Sequence, residues 1–127
     1  MTTVARVLAT PSALALIERL RGQHGPLLFH QSGGCCDGSS PMCYPAGEFR
    51  VGAQDVYLGS ISACEFYMGA AQFEYWRHTQ LIIDVVEGRG GMFSLEGGSG
   101  VRFLTRSRLF SDDELAELER AEGSERG

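Results

Sequence analysis

A chain of 127 residues with 43% apolar and 21% charged residues has the length and composition of one folded globular domain, which excludes a disordered or fibrous class. Its net charge of −5 belongs to the C-terminal end: residues 1–110 hold nine acids and nine arginines, and 111–127 hold seven acids and two arginines. The arginines of the body are scattered, so no nucleic-acid surface is expected, and the apolar run Ala13 to Ile17 is too short for a signal segment or a membrane span, so a cytoplasmic location is expected.

In chain order, residues 1–10 read as an extended lead. Pro11 and Ser12 open a helix to about Gly22, with Leu14, Ile17, Leu20, Ala13 and Leu16 on its apolar stripe and Gly22 and Gly25 as its stop. Pro26 to Gln31 is predicted to be a strand, and Glu48 to Val51 a short strand after the loop that follows. Asp55 to Ile61 is predicted as a strand and Ala70 to Arg77 as two helical turns. The β-branched run Thr79 to Glu87 predicts a central strand with both faces covered. Gly88 to Gly91 reads as a turn, and Met92 to Leu95 with Val101 to Thr105 as paired strands around Gly97 to Gly100. Ser111 with Glu114 three residues later forms a capping box for a surface helix, 111–122, with Leu115 and Leu118 as its apolar edge. The pattern is a single domain over 1–127 with an ordered core of about 9–110: an α+β fold with a mostly antiparallel sheet, an N-terminal helix and a C-terminal surface helix.

Three of the four cysteines, Cys35, Cys36 and Cys43, fall within nine positions of one glycine-rich stretch after the strand ending at Gln31. Thiols grouped on a loop at a strand end can ligate a soft metal, exchange disulfides or attack an electrophile. Adjacent Cys35 and Cys36 face one centre only if the backbone turns between them, and Gly33, Gly34 and Gly38 make such a turn easy. His30 at the strand end and Cys64 farther along are the candidates to complete a four-ligand set. The alternatives are a core histidine bonded to backbone, and a cysteine buried as a small hydrophobe. In a cytosol that keeps thiols reduced, metal ligation, redox work or burial are better readings than two structural disulfides. Glu74 and His78 stand four apart and would share a helix face, as a surface pair or as ligands of a metal or polar group. Tyr67, Phe73, Tyr75 and Trp76 are core aromatics or the wall of an apolar pocket. No nucleotide-binding glycine motif, nucleophile elbow or zincin motif occurs.

Leu27-Leu28-Phe29-His30-Gln31-Ser32-Gly33-Gly34-Cys35-Cys36-Asp37-Gly38 resembles the bacterial family catalogued as domain of unknown function 779, as do Asp55 to Gly59 and the runs Phe73 to Val86 and Gly90 to Glu96; the likeness covers about residues 9–120. Members of that family are often encoded beside aldehyde dehydrogenases, which implies an accessory role in aldehyde or alcohol oxidation. A more distant resemblance is to the HesB/IscA-like iron–sulfur carriers, in the order of helix 12–22, strand 26–31, Gly33-Gly34-Cys35 and Ile83 to Gly88. It implies a HesB-like sheet and matches Cys35 or Cys36 to the carrier's first cysteine ligand. The carriers end in a Cys-x-Cys pair, whereas this chain has no cysteine after Cys64, so Cys43 is the substitute ligand.

Together these features predict an accessory protein, non-catalytic for want of a catalytic dyad, that binds a zinc or iron ion or an iron–sulfur cluster through Cys35, Cys36 and Cys43, with His30 and Cys64 as further ligands. The predicted partner is an aldehyde dehydrogenase or a second copy of the chain. The alternatives are a thiol-redox or thiol-transfer enzyme, with Arg50 or His30 lowering a cysteine pKa, and a structural partner-binding module.

Overall fold

The computed structural model describes residues 4–31, 41–48, 51–88, 95 and 100–126, with side chains as far as residue 120. Ten elements of regular α or β structure occur in them: β1 (Val7–Ala9), α1 (Pro11–His24), β2 (Leu27–Gln31), β3 (Met42–Pro45), β4 (Asp55–Ile61), β5 (Cys64–Gly69), α2 (Ala70–Trp76), β6 (Thr79–Glu87), β7 (Val101–Leu109) and α3 (Asp112–Arg126). The strands form two mixed sheets, β1-β6-β7 and β3-β2-β5-β4. Pairings β2 with β3, β4 with β5 and β6 with β7 are antiparallel, and β1 with β6 and β2 with β5 are parallel. The α+β class and the antiparallel majority match the sequence pattern, but the strands divide between two sheets.

Alternation decides which residues meet between the sheets, because successive side chains of a strand point to opposite faces. Leu27 and Phe29 of β2, Cys43 of β3, Phe66 and Met68 of β5, Leu81 and Ile83 of β6 and Phe103 of β7 join one buried cluster with Ala13, Leu16, Ile17 and Leu20 of α1. Phe29 stacks on Phe66 at 5.8 Å and meets the Phe103 ring edge-on at 5.1 Å, so one aromatic trio ties the sheets. Beside it the Thr105 hydroxyl donates to Gln31 Oε1 at 2.9 Å, a polar bond in a buried setting. At Gly59 a bulge shifts the β4–β5 register, and a φ of +145° there suits glycine. Its Cα passes Val7 so closely that an added Cβ would lie 3.5 Å from the valine methyl.

The first helix begins at Pro11, as expected, and runs on past Gly22 to His24. Thr10 is its N-cap, its hydroxyl accepting from the Ala13 amide at 3.2 Å, and Pro11 fills the first turn, where a missing N–H costs nothing. Gly22 lies within the helix, and Gly25, at φ +81°, is the stop. Leu14, expected on the apolar stripe, is exposed. The lead contains β1, which pairs with the centre of β6 and makes β6 the middle strand of its sheet, as its β-branched run predicts.

Three expectations for strands are corrected. The return strand after the cysteine loop is Met42–Pro45, whereas Glu48, the start of the expected strand, ends a single 3₁₀ turn, Ala46–Glu48, and residues 49 and 50 lie outside the described residues. Cys64–Gly69 is a strand that the sequence reading passed over, although apolar Cys64, Phe66 and Met68 alternate with Glu65 and Tyr67. β7 runs on to Leu109 and pairs along its whole length with β6, from Glu87 opposite Val101 to Thr79 opposite Leu109. Met92 to Ser94, its expected partner, lie outside the described residues, while the Leu95 amide donates to the Cys43 carbonyl at 3.0 Å.

Candidate functional site

The β3-β2-β5-β4 sheet has one face in the core and a second face that carries chemistry. By register, Met42, His30, Tyr67 and Tyr57 lie side by side across its four strands on that second face, and Tyr44, Leu28, Glu65 and Ser60 form the next row. Residues 31 and 41 are the two feet of the glycine-cysteine loop, and the pair His30–Met42 is the last rung of the hairpin beneath it.

His30 is buried, and its Nε2 lies 2.6 Å from Asp55 Oδ1. Asp55 belongs to β4, two strands away, and its register partner on the intervening β5 is Gly69, which has no side chain to stand between them. The other carboxylate oxygen accepts the Gly52 backbone N–H at 2.8 Å, and the Asp55 N–H donates back to the Gly52 carbonyl at 3.1 Å. These bonds hold the Asp55 carboxyl below the usual carboxylate range, the Gly52 amide contributing most and the His30 hydrogen bond next. On the neighbouring positions, the Tyr67 hydroxyl donates to Glu65 Oε2, which pushes the phenol up to about 12. The Tyr57 ring lies 5.5 Å from that of Tyr67, and its hydroxyl shares a 2.8 Å hydrogen bond with Ser60.

The five candidate ligands do not all meet here. Cys35 and Cys36 lie outside the described residues. Cys43 is opposite Phe29 and Cys64 opposite Ile61, so both thiols point into the core, fully buried and reduced. Their strands are separated by β2, roughly 10 Å at the usual strand spacing, and His30 is on the reverse face. One ion therefore cannot take His30 together with Cys43 or Cys64, and among the described residues no three His, Cys, Asp or Glu side chains gather as a metal site. Burial pushes the Cys64 thiol up, and the thiol donates to the Ser62 carbonyl at 3.5 Å.

Other expected groupings separate too. α2 ends at Trp76, leaving His78 in the following turn, while Glu74 pairs with Arg77 at 3.9 Å. Trp76 is in the core, Phe73 packs against it, Tyr75 is 71% exposed and Tyr67 is on the outer sheet face, so the four aromatics share no pocket. The Arg6 guanidinium instead lies 5.0 Å from the Phe73 ring centre and 6.0 Å from that of Phe110.

The family model for Domain of unknown function (DUF779) matches residues 16–109, from the middle of α1 to the end of β7. The chain belongs to the DUF779 family. The match takes in every strand but β1 and both residues of the His30–Asp55 pair, so the pair lies within the DUF779 domain itself. No curated protein matches the chain significantly.

Asp55 is the functional candidate that sequence reading missed. Its local signal is that of a turn residue: Gly52 three positions before it reads as loop. Nothing in the local pattern says that β4 and β2 flank the same strand.

Proposed function

We propose that this DUF779 protein is a non-catalytic accessory protein that binds a single metal ion at the β2–β3 loop, through the thiolates of Cys35 and Cys36 and the imidazole of His30. The supporting observation is the carboxylate–histidine pair at the foot of that loop, His30 Nε2 to Asp55 at 2.6 Å. A ligating histidine characteristically hands its other ring nitrogen to a carboxylate, which fixes the ring and raises its basicity. Two thiolates and one imidazole leave a fourth tetrahedral position for water or a delivered ligand, a donor set that suits zinc or ferrous iron.

A mononuclear centre takes the place of the cluster implied by the HesB/IscA-like resemblance. Clusters are held chiefly by cysteine thiolates, and the core positions of Cys43 and Cys64 leave only two cysteines for the loop. A reducing compartment, hence the cytosol, keeps such thiols available. The partner proposed from the family resemblance is an aldehyde dehydrogenase.

Elemental analysis of protein purified without oxygen tests the proposal. About one zinc or iron per chain is expected, lost in Cys35→Ser/Cys36→Ser and in His30→Gln and retained in Cys43→Ser and Cys64→Ser. Protein that is metal-free and takes up neither ion overturns it. Co-purification with an aldehyde dehydrogenase tests the partner separately.

The same pair favours a second function, a thiol-transfer enzyme in which a loop cysteine is the nucleophile, His30 its base and Asp55 the group that orients the base. Alkylation rates across pH separate the two. A loop thiol that reacts with an apparent pKa well below the ordinary cysteine value of about 8.5 in metal-free protein supports transfer chemistry, and one near that value excludes it.

A further inference from the structure

We infer that Asp55 is a positioning residue: it assigns the proton of the neutral His30 ring to Nε2 and so leaves Nδ1 as the nitrogen that carries the reactive lone pair. Three observations carry this. Asp55 Oδ1 and His30 Nε2 are 2.6 Å apart, a charge-assisted hydrogen-bond distance. The opposite oxygen, Oδ2, takes the Gly52 N–H at 2.8 Å, a second bond that favours this orientation of the carboxylate. The tight turn that supplies this amide is closed by the Asp55 N–H on the Gly52 carbonyl at 3.1 Å, and the next contact holds it to the sheet: the Ala70 N–H donates to the Gln54 carbonyl at 2.7 Å.

An ionised carboxylate only accepts hydrogen bonds, so the ring nitrogen facing it must donate. A neutral imidazole bears one proton, and the other nitrogen is then an acceptor or a ligand. The pair reaches across β5, where the register partner of Asp55 is Gly69, and a Cβ added there meets nothing within 4 Å. The inference deepens the proposed site, resting on it only for the second measurement below; the proton assignment stands on the described residues alone.

Long-range proton–nitrogen correlation spectra of the nitrogen-15-labelled, metal-free chain read the tautomer directly. The chain has three histidines, and His30→Gln identifies the His30 signals by their loss. For the ring bearing a single proton, the expected spectrum shows a protonated Nε2 and an unprotonated Nδ1. Asp55→Asn, whose amide can donate as well as accept, is expected to give a mixture of tautomers in a protein with an unchanged circular dichroism spectrum. A wild-type ring protonated on Nδ1, or a folded Asp55→Asn variant with the wild-type tautomer, overturns the inference.

Zinc titration is the second readout: Asp55→Asn is expected to lower affinity on the order of 10- to 100-fold. An unchanged affinity overturns the positioning role for metal binding. A wild-type chain that takes up neither zinc nor iron overturns the proposed function and leaves the tautomer result to decide the role of Asp55.

Discussion

At the scale of single residues, the two core cysteines behave as small hydrophobes. Cys43 is fully buried among apolar side chains and Cys64 is 1% exposed. The nucleophile is the thiolate; both thiols are out of reach of reagent, and burial raises that of Cys64 as well. Iodoacetamide is therefore expected to spare Cys43 and Cys64 in native protein and to reach both after denaturation, as read by peptide mass mapping. Rapid native labelling of either one contradicts the packing. Cys43→Ser puts a more strongly hydrated hydroxyl at a fully buried position of the apolar cluster and should cost about 1–3 kcal/mol, measured by urea unfolding. The loop's cysteine cluster was legible in the sequence as a group of three. Its division was not, because membership of a cluster depends on strand alternation: Met42 to Pro45 form a strand, and that sends Cys43 to the face opposite His30.

At the scale of elements, the turn between β4 and β5 carries strain that α1 holds in place. Ser62 and Ala63 have φ of +50° and +65°, the left-handed pair of a two-residue I′ hairpin, a geometry usually given to Asn-Gly. Glu18 accepts the Ser62 hydroxyl at 2.6 Å and Arg21 donates to the Ser62 carbonyl at 3.3 Å, so one helix face clamps the turn. Ala63→Gly relieves the clash of a Cβ in that conformation and should stabilise the protein by about 1 kcal/mol, seen as a higher urea midpoint with an unchanged slope. Destabilisation would show that the Ala63 methyl matters more than its φ.

The C-terminal helix has an electrostatic anchor instead. The Glu114 carboxylate takes both Arg108 terminal nitrogens, at 2.9 and 2.8 Å, together with the Ser111 amide at 2.9 Å, which lowers its pKa to about 2. A carboxyl lowered on folding contributes stability that is present above its unfolded value and is lost as pH falls through its folded value. The window runs from 4.5 down to about 2. Protection of the α3 amides against exchange, taken relative to the intrinsic rate at each pH, is expected to fall in that window before the sheets open, and Glu114→Gln should remove that fall while leaving lower protection throughout. Capping boxes, helices and the central β6 were legible because their signals are local. β1 and β3 were missed because each is short, and β5 because it alternates within a run of mixed polarity whose strand character depends on the neighbours it joins.

At the scale of the whole molecule, the question is whether two separate mixed sheets unfold as one body. Sequence periodicity predicted most strands but could not assign them to sheets, since Phe29, Phe66 and Phe103 become a cluster only through pairings distant in the chain. That cluster is the main physical link: Phe29 and Phe66 come from one sheet, Phe103 from the other, and the edge-on contact at 5.1 Å crosses the gap. Truncating Phe103 to alanine should cost about 3–5 kcal/mol. That loss alone does not separate a link between sheets from ordinary cavity formation. A double-mutant cycle with Phe29→Leu and Phe103→Leu does, because it isolates the pair: the expected coupling is about 0.5–1.5 kcal/mol. With such a coupling, the environment of Trp76, which packs in the shared core, and the backbone signal of both sheets should report a single urea transition with one midpoint. Zero coupling with two separated transitions would mean that each sheet is stable by itself. The His30–Asp55 pair would then depend on the β3-β2-β5-β4 sheet alone, since both of its residues belong to it.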